Sequence, residues 1–311
     1  METSSSRGLP VQRFLPELAL VTVVVLWAST FIITKDLFNK IAPMAFAGLR
    51  FVLICLFSCA VLYVRGRNDP QRYFRVRRSD LPRLVLAGFM GYSVYQLGFT
   101  LGLDHSSPFA AALILTMTPL FSLMFVALLG ERPEASIWIG VIVAIGGIVV
   151  FLFDGDSGGT LAGTLLILMA AGGFAIYGMV NRPIVQHYPA ETVAAYTTVL
   201  GSLPLMLASI PWAVDQDWGR PSGQDWLAIV YMVIFPVYVA YILWNWAISR
   251  RGVAATSAQL LVPVVSGVLS AMVFGESFGA LKIVGGLIAL LGLLLMRYSP
   301  RRITQLVRRS F

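Results

Sequence analysis

The chain has 311 residues, of which 58% are hydrophobic and 12% charged, with a formal net charge of +8. A soluble globular domain carries about 25% charged residues, so this composition excludes a soluble enzyme or binding domain for most of the length. The positive balance would suggest nucleic acid in a soluble chain; here the basic residues flank apolar runs, which assigns them to membrane topology and leaves nucleic acid out as a partner.

Residues 1–16 are polar, with Arg7 and Arg13, and no small-residue cleavage site follows the first apolar run, which therefore reads as an uncleaved helix. Apolar runs follow at 17–37, 43–64, 82–104, 108–129 and 135–153, then at 161–181, 191–213, 226–248, 254–274 and 279–297. A helix needs roughly 20 apolar residues to cross the hydrocarbon core. The expected fold is all-α and polytopic, with ten transmembrane helices. Cys55 and Cys59 lie four apart on one face of the second run, without CxxC spacing or a histidine nearby, and read as packing residues. No metal or cofactor is expected.

Counting Lys and Arg on alternate sides of these runs gives 18 on the N-terminal side against 4 on the other, with Arg50 inside the second span. The bias places both termini, including the basic tail 298–311, in the cytoplasm. Nine or eleven spans would put Arg301, Arg302, Arg308 and Arg309 outside.

The chain also repeats itself. Pro119 matches Pro263 at an offset of 144, and Gly130-Glu131 and Gly147 match Gly275-Glu276 and Gly292 at 145. Phe31 matches Tyr177 and Pro43 matches Pro189 at 146. The two copies are 17–153 and 161–297. Each holds an odd number of spans, so the second must enter the membrane from the opposite side. Such a 5+5 inverted repeat is typical of transporters with a site near the bilayer midplane.

The first half carries, in order, Trp27-Ala-Ser-Thr-Phe31, Lys35, Pro43, Arg50-Phe51, Thr118-Pro119-Leu120, Gly130-Glu131, Gly140 and Gly146-Gly147, and the second half repeats the scheme with Pro263, Gly275-Glu276 and Gly285-Gly286. This pattern resembles the drug/metabolite transporter superfamily, in particular bacterial EamA-domain permeases, across nearly the whole chain. The resemblance implies a ten-helix carrier of the bacterial inner membrane, commonly an exporter of amino acids or other small metabolites. The second half departs from the pattern with Gly173 in place of Trp27 and Tyr196 in place of Arg50, so those two roles carry over to the first half alone.

Polar side chains inside a span belong on the bundle interior. Trp27, Thr30 and Phe31 share a stripe of the first span, and Tyr92, Tyr95 and Gln96 one of the third. Tyr177 in the sixth, Tyr238, Tyr241 and Asn245 in the eighth, and Gln259 in the ninth complete five candidate walls of a substrate cavity. The alternative for each is an interfacial belt or helix–helix glue. Pro119 and Pro263 each free a carbonyl four residues earlier, on Leu115 and Gln259, and make either a hinge or a fixed kink. Arg50 either holds a substrate carboxylate or gating partner, or caps carbonyls near the outer mouth. Glu131 and Glu276 are a coupling pair, or acids that complement the dipole of the helix that follows each.

The expected function is a secondary carrier for a small neutral or zwitterionic metabolite, amino acids favoured, working by alternating access as a monomer. A sugar-phosphate or nucleotide-sugar exchanger would need several buried Lys or Arg. An intramembrane enzyme would need a constellation such as HExxH or paired membrane aspartates, which the sequence lacks. A non-transporting scaffold or receptor is the remaining class. With no Asp or Glu deep in a span, a facilitator or weakly coupled exchanger is expected.

Overall fold

A computed structural model describes residues 10–130, 133–153, 159–251 and 253–297. Glu131, residues 1–9 and the tail 298–311 lie outside the described residues. All ten apolar segments are helical: α1 (Pro10–Leu37), α2 (Pro43–Gly66), α3 (Leu81–Asp104), α4 (Pro108–Leu128), α5 (Ala135–Leu152), α6 (Leu161–Asn181), α7 (Ala190–Asp215), α8 (Gly223–Arg251), α9 (Ser257–Phe274) and α10 (Ala280–Arg297). Eight of them are long and apolar enough to cross a membrane; α5 and α10 are apolar helices of 18 residues each. At 1.5 Å per residue these two are about 27 Å long. A short helix, Pro70–Phe74, interrupts the α2–α3 connection, which the sequence suggested as loop.

The local sequence explains where helices start and stop. Pro43 and Pro108 open α2 and α4 at positions where a missing N–H costs nothing. Side chains of Ser107 and Thr160 accept the Ala110 and Gly163 amides at 3.2 and 3.0 Å, capping α4 and α6. Ser222 and Asp225 form a reciprocal capping box on α8. Gly130 and Gly275, matched in the repeat, stand just beyond α4 and α9 with φ of 93° and 66°. That left-handed backbone ends a helix cheaply only without a Cβ.

Packing joins helices from opposite halves of the sequence. α5 packs along α10, α2 on α7, and α4 on α9; α3 and α4 pack on α6, while α8 and α9 pack on α1. Adding five to a helix number from the first half, and subtracting five from one in the second, returns the same set of pairs. The closest approaches run through glycine. A Cβ on Gly147 would sit 2.2 Å from Ala289 N and 2.7 Å from Gly285 O, and one on Gly140 would sit 2.7 Å from Gly292 O. The reciprocal distances from Gly285 to Gly147 O and from Gly292 to Gly140 O are 2.8 and 2.7 Å. The repeat matches Gly140 with Gly285 and Gly147 with Gly292, and in the structure they meet crosswise, Gly140 against Gly292 and Gly147 against Gly285. In α3, Gly88 meets Gly201 of α7, and Gly98 meets Leu166 O of α6 at 2.4 Å. The largest core cluster fills the space between these contacts, with Phe31, Phe99, Ile114, Phe151, Ile167 and Leu293.

Gly147→Val should lower the thermal melting temperature of detergent-solubilised protein by several degrees, since forcing atoms into a packed contact costs about 1–3 kcal/mol or more. Gly146→Val, at a glycine with nothing within 4 Å, should melt like the parent. Equal melting of the two variants would contradict the backbone contact.

Candidate functional site

Two helices depart from α geometry at matched places. α3 widens into a π segment over Phe89–Val94 and α8 over Phe235–Val239. Phe89 and Phe235 are 146 apart, the offset that also relates Phe31 to Tyr177. π segments recur at functional sites because they rotate side chains out of α-helical register and leave carbonyls unbonded. In α8 the Ala240 amide bonds to Phe235 O, so Pro236 O is released, and the Trp27 indole donates to it at 3.2 Å. The equivalent contact in the other half pairs Gly173 with Met90: a Cβ on Gly173 would lie 2.9 Å from Met90 O. One half therefore bridges to the π segment with a tryptophan, and the other lets backbone approach it directly. This gives the departure at Gly173 a physical meaning. Ser93, within the α3 segment, donates to Gly201 O at 2.6 Å and accepts from Leu205 N–H at 3.2 Å, so it is inserted into the hydrogen-bond ladder of α7.

Aromatic rings converge around these segments. Tyr92 meets Phe51 and Tyr177 edge-on, with ring centroids 5.9 and 5.7 Å apart. Tyr95 lies 5.2 Å from Phe174 and 6.0 Å from Phe99, and Phe99 lies 5.5 Å from Phe31. Tyr238 packs on Phe57 at 4.4 Å and shares a hydrogen bond with Ser58. Phe174 also stacks on Tyr177, with ring centroids 5.7 Å apart. Tyr92 and Tyr238, like Tyr95 and Tyr241, are 146 apart. Three repeat-related pairs thus supply much of the cluster, and two of them follow from an offset already visible in the sequence at Phe31 and Tyr177.

Arg50, on α2, is only 7% exposed, its Nε has no hydrogen-bond partner among the described residues, and it precedes Phe51, which packs on Tyr92. Its repeat counterpart Tyr196 instead donates to Phe74 O at 2.9 Å, near the end of the bundle. Other candidates are engaged locally. Trp27 packs on Trp244 at 5.2 Å, Thr30 bonds to Leu26 O, and the buried Gln96 amide bonds to the Thr100 hydroxyl at 3.0 Å. Asn245 is exposed and bonds to Tyr241 O, while Tyr241 itself is 55% exposed. Gln259 is partly buried at the end of a 3₁₀ stretch, Val253–Leu260.

The two prolines mark breaks sharper than kinks. α4 is interrupted at Thr116–Met117, so Pro119 opens a new helical segment, Thr118–Leu128, and the Leu115 carbonyl accepts the Thr118 hydroxyl at 2.8 Å. In α9 the 3₁₀ stretch gives way to α geometry at Leu261, just before Pro263. Glu276 accepts from the Ser270 hydroxyl at 2.6 Å and pairs with the Lys282 ammonium at 3.0 Å. Lys282 is 1% exposed, donates to Ser277 O and lies over the Phe278 ring. Lys282 lies three residues into the tenth apolar run, 279–297, and its pairing with Glu276 is decided by the tertiary fold.

Residues 15–153 and 161–298 each match the model of the EamA-like transporter family. The chain belongs to this family. It is a multi-pass membrane transporter of the drug/metabolite transporter superfamily. This EamA-like transporter is 30% identical over 280 residues to a "Probable terminal-alkyne amino-acid exporter" of Streptantibioticus cattleyicolor, covering 89% of this chain and 92% of that one. It is 25% identical over 269 residues to the "Uncharacterized inner membrane transporter YedA" of Escherichia coli K12, with 85% and 84% covered. A solved crystal structure superposes with a TM-score of 0.61 at 21% identity, over 90% of this chain and 94% of that one, which shows a shared fold.

Removing one partner of a buried ion pair costs about 3–5 kcal/mol because the other charge stays buried. Glu276→Gln should therefore melt well below the parent, and Glu276→Gln combined with Lys282→Met should recover most of the loss. Melting of the single variant at the parent temperature would show the pair to be solvated.

Proposed function

We propose that this EamA-like transporter moves a small neutral or zwitterionic metabolite, amino acids favoured, out of the cell across the bacterial inner membrane by alternating access. The aromatic cluster around Arg50 is the substrate site in this reading, with Phe31, Tyr92, Tyr95, Tyr177, Tyr238 and Tyr241 as its walls. The observation that carries it is the pairing of these walls across the repeat, 146 residues apart, beside a buried guanidinium with an unpartnered Nε. Rings take up the apolar part of a solute, and Arg50 offers a fork for its carboxylate.

The chain is read as ten spans in two inverted halves, with both termini cytoplasmic, acting as a monomer. Support comes from the two family matches within one chain, the helix pairs that exchange when halves are exchanged, and the 18-to-4 bias of basic residues. Alternating access then amounts to each half adopting in turn the packing of the other. The Trp27–Pro236 and Gly173–Met90 contacts are two versions of one interface and make the two halves unequal. A solute with several phosphates is disfavoured because Arg50 is the one cation at the cluster among the described residues, and Lys282 is tied to Glu276.

Proteoliposomes should show saturable, stereoselective amino-acid flux, reduced about fivefold or more by Tyr95→Ala, since losing a well-packed aromatic contact costs on the order of 1–3 kcal/mol. Gln259→Ala should reduce it as well. Arg50→Gln should raise KM for carboxylate-bearing solutes more than for their amides, with Arg50→Lys partly restoring it. Unchanged kinetics in all three would remove the site assignment. Flux is expected to run downhill without a pH gradient; uphill flux that follows imposed pH and vanishes in Glu276→Gln with folding intact would overturn the facilitator reading.

A further inference from the structure

The α2–α3 connection folds back over the ends of α6 and α7. Thr192 and Tyr196 of α7 donate to Tyr73 O and Phe74 O at 2.8 and 2.9 Å. The Tyr188 hydroxyl donates to Asp80 at 2.5 Å and accepts from the Arg77 amide at 3.2 Å. Between the strap and the α6–α7 turn lies a groove of about 720 Å3, lined by Arg72, Arg75 and Arg77 together with Gln186, His187 and Tyr188.

The nearby acids have partners other than the three guanidiniums. Asp69 accepts the Arg72 amide as a helix cap, Asp80 takes the Tyr188 hydroxyl, and Glu191 pairs with Arg65 at 3.6 Å. Among the described residues, none of the Arg72, Arg75 and Arg77 guanidiniums has an ion-pair partner. The groove therefore presents three guanidiniums without ion-pair partners among the described residues, with the Asp69 and Asp80 carboxylates near by, and positive charge is in excess. The fold does not require it: at an offset of 146 these arginines correspond to Trp218, Pro221 and Gly223 in the other half. There the strap is fastened by Gln216, which donates to Lys40 O at 3.1 Å and accepts from Ala42 N–H at 2.8 Å, and the matching surface carries no arginine triplet.

We propose that this groove binds the headgroup of an anionic phospholipid. It sits where α2 and α6 end and α3 and α7 begin, at the level where helices leave the hydrocarbon. Exposed Tyr63, Val64, Phe74 and Val185 lie alongside in sequence and can accompany an acyl chain. Guanidiniums meet phosphate oxygens bidentately, and basic pockets at helix ends are suited to acidic headgroups. A freely soluble phosphate ester would share the arginine contacts but make no use of the apolar flank. The inference rests on membrane insertion and stands apart from the substrate assignment at Arg50.

Native mass spectrometry of delipidated protein with phosphatidylglycerol or phosphatidylcholine tests it. The parent should retain phosphatidylglycerol and be stabilised by it, with no such effect from phosphatidylcholine. Each arginine near the surface contributes about fivefold in affinity. Arg72→Gln/Arg75→Gln/Arg77→Gln should therefore bind phosphatidylglycerol on the order of 100-fold more weakly, the single Arg75→Gln about fivefold, and Arg220→Gln as the parent does. If the triple variant does not fold, as judged by its melt in phosphatidylcholine, the single variant decides. Equal phosphatidylglycerol affinity in parent and Arg75→Gln would overturn the proposal. So would displacement of the lipid by millimolar glycerol phosphate, which would make the groove a site for soluble anions.

Discussion

Helices in this protein approach one another until their backbones touch, and glycine is what allows it. At Gly140 and Gly147 against Gly292 and Gly285, at Gly88 against Gly201 and at Gly98 against Leu166 O, a single Cβ would fall within 3 Å of a neighbouring backbone atom. In lipid there is little hydrophobic gain from bringing apolar helices together, so close van der Waals contact carries much of the association. The order of helix pairs follows from these contacts. Around the π segment of α3, they hold that helix against α7 at Gly88 and against α6 at Gly98, on either side of the widened turn.

The contrast between Trp27 and Gly173 is where the symmetry of the repeat gives way. Equivalent positions, one side filled by an indole that reaches Pro236 O and the other emptied so that backbone approaches Met90 O, hold otherwise related helices at different separations. A second contrast is Arg50 against Tyr196: the first is buried within α2 with its Nε unpartnered, the second sits at the bundle end on the Phe74 carbonyl. These substitutions make the two family-matched halves unequal.

Much of the framework was legible in the sequence. The ten apolar segments lie within a few residues of ten helices, because a run of lipid-compatible residues must form a helix to satisfy its own backbone. Gly130 and Gly275 were visible as a matched pair before their left-handed backbone was known. Tyr92 with Tyr238 and Tyr95 with Tyr241 could have been paired from the same offset. Side-chain direction was less legible: Thr30 and Asn245, on predicted stripes, turn back to carbonyls of their own helices, and Gln96 bonds to Thr100 one turn away. Polar groups in a low-dielectric setting take the nearest acceptor, and sequence spacing does not reveal which acceptor is nearest.

The sequence by itself determined the helices, their number of apolar runs, the charge bias across them and the repeat, since each depends on residue type and spacing along one chain. Tertiary structure alone decided the widening of α3 and α8, the break of α4 at Thr116–Met117, the burial of Lys282 against Glu276 and the gathering of rings around Tyr92 and Tyr95. These depend on which carbonyls lose partners when helices far apart in sequence meet. That is a property of contacts, and hydropathy carries no record of it.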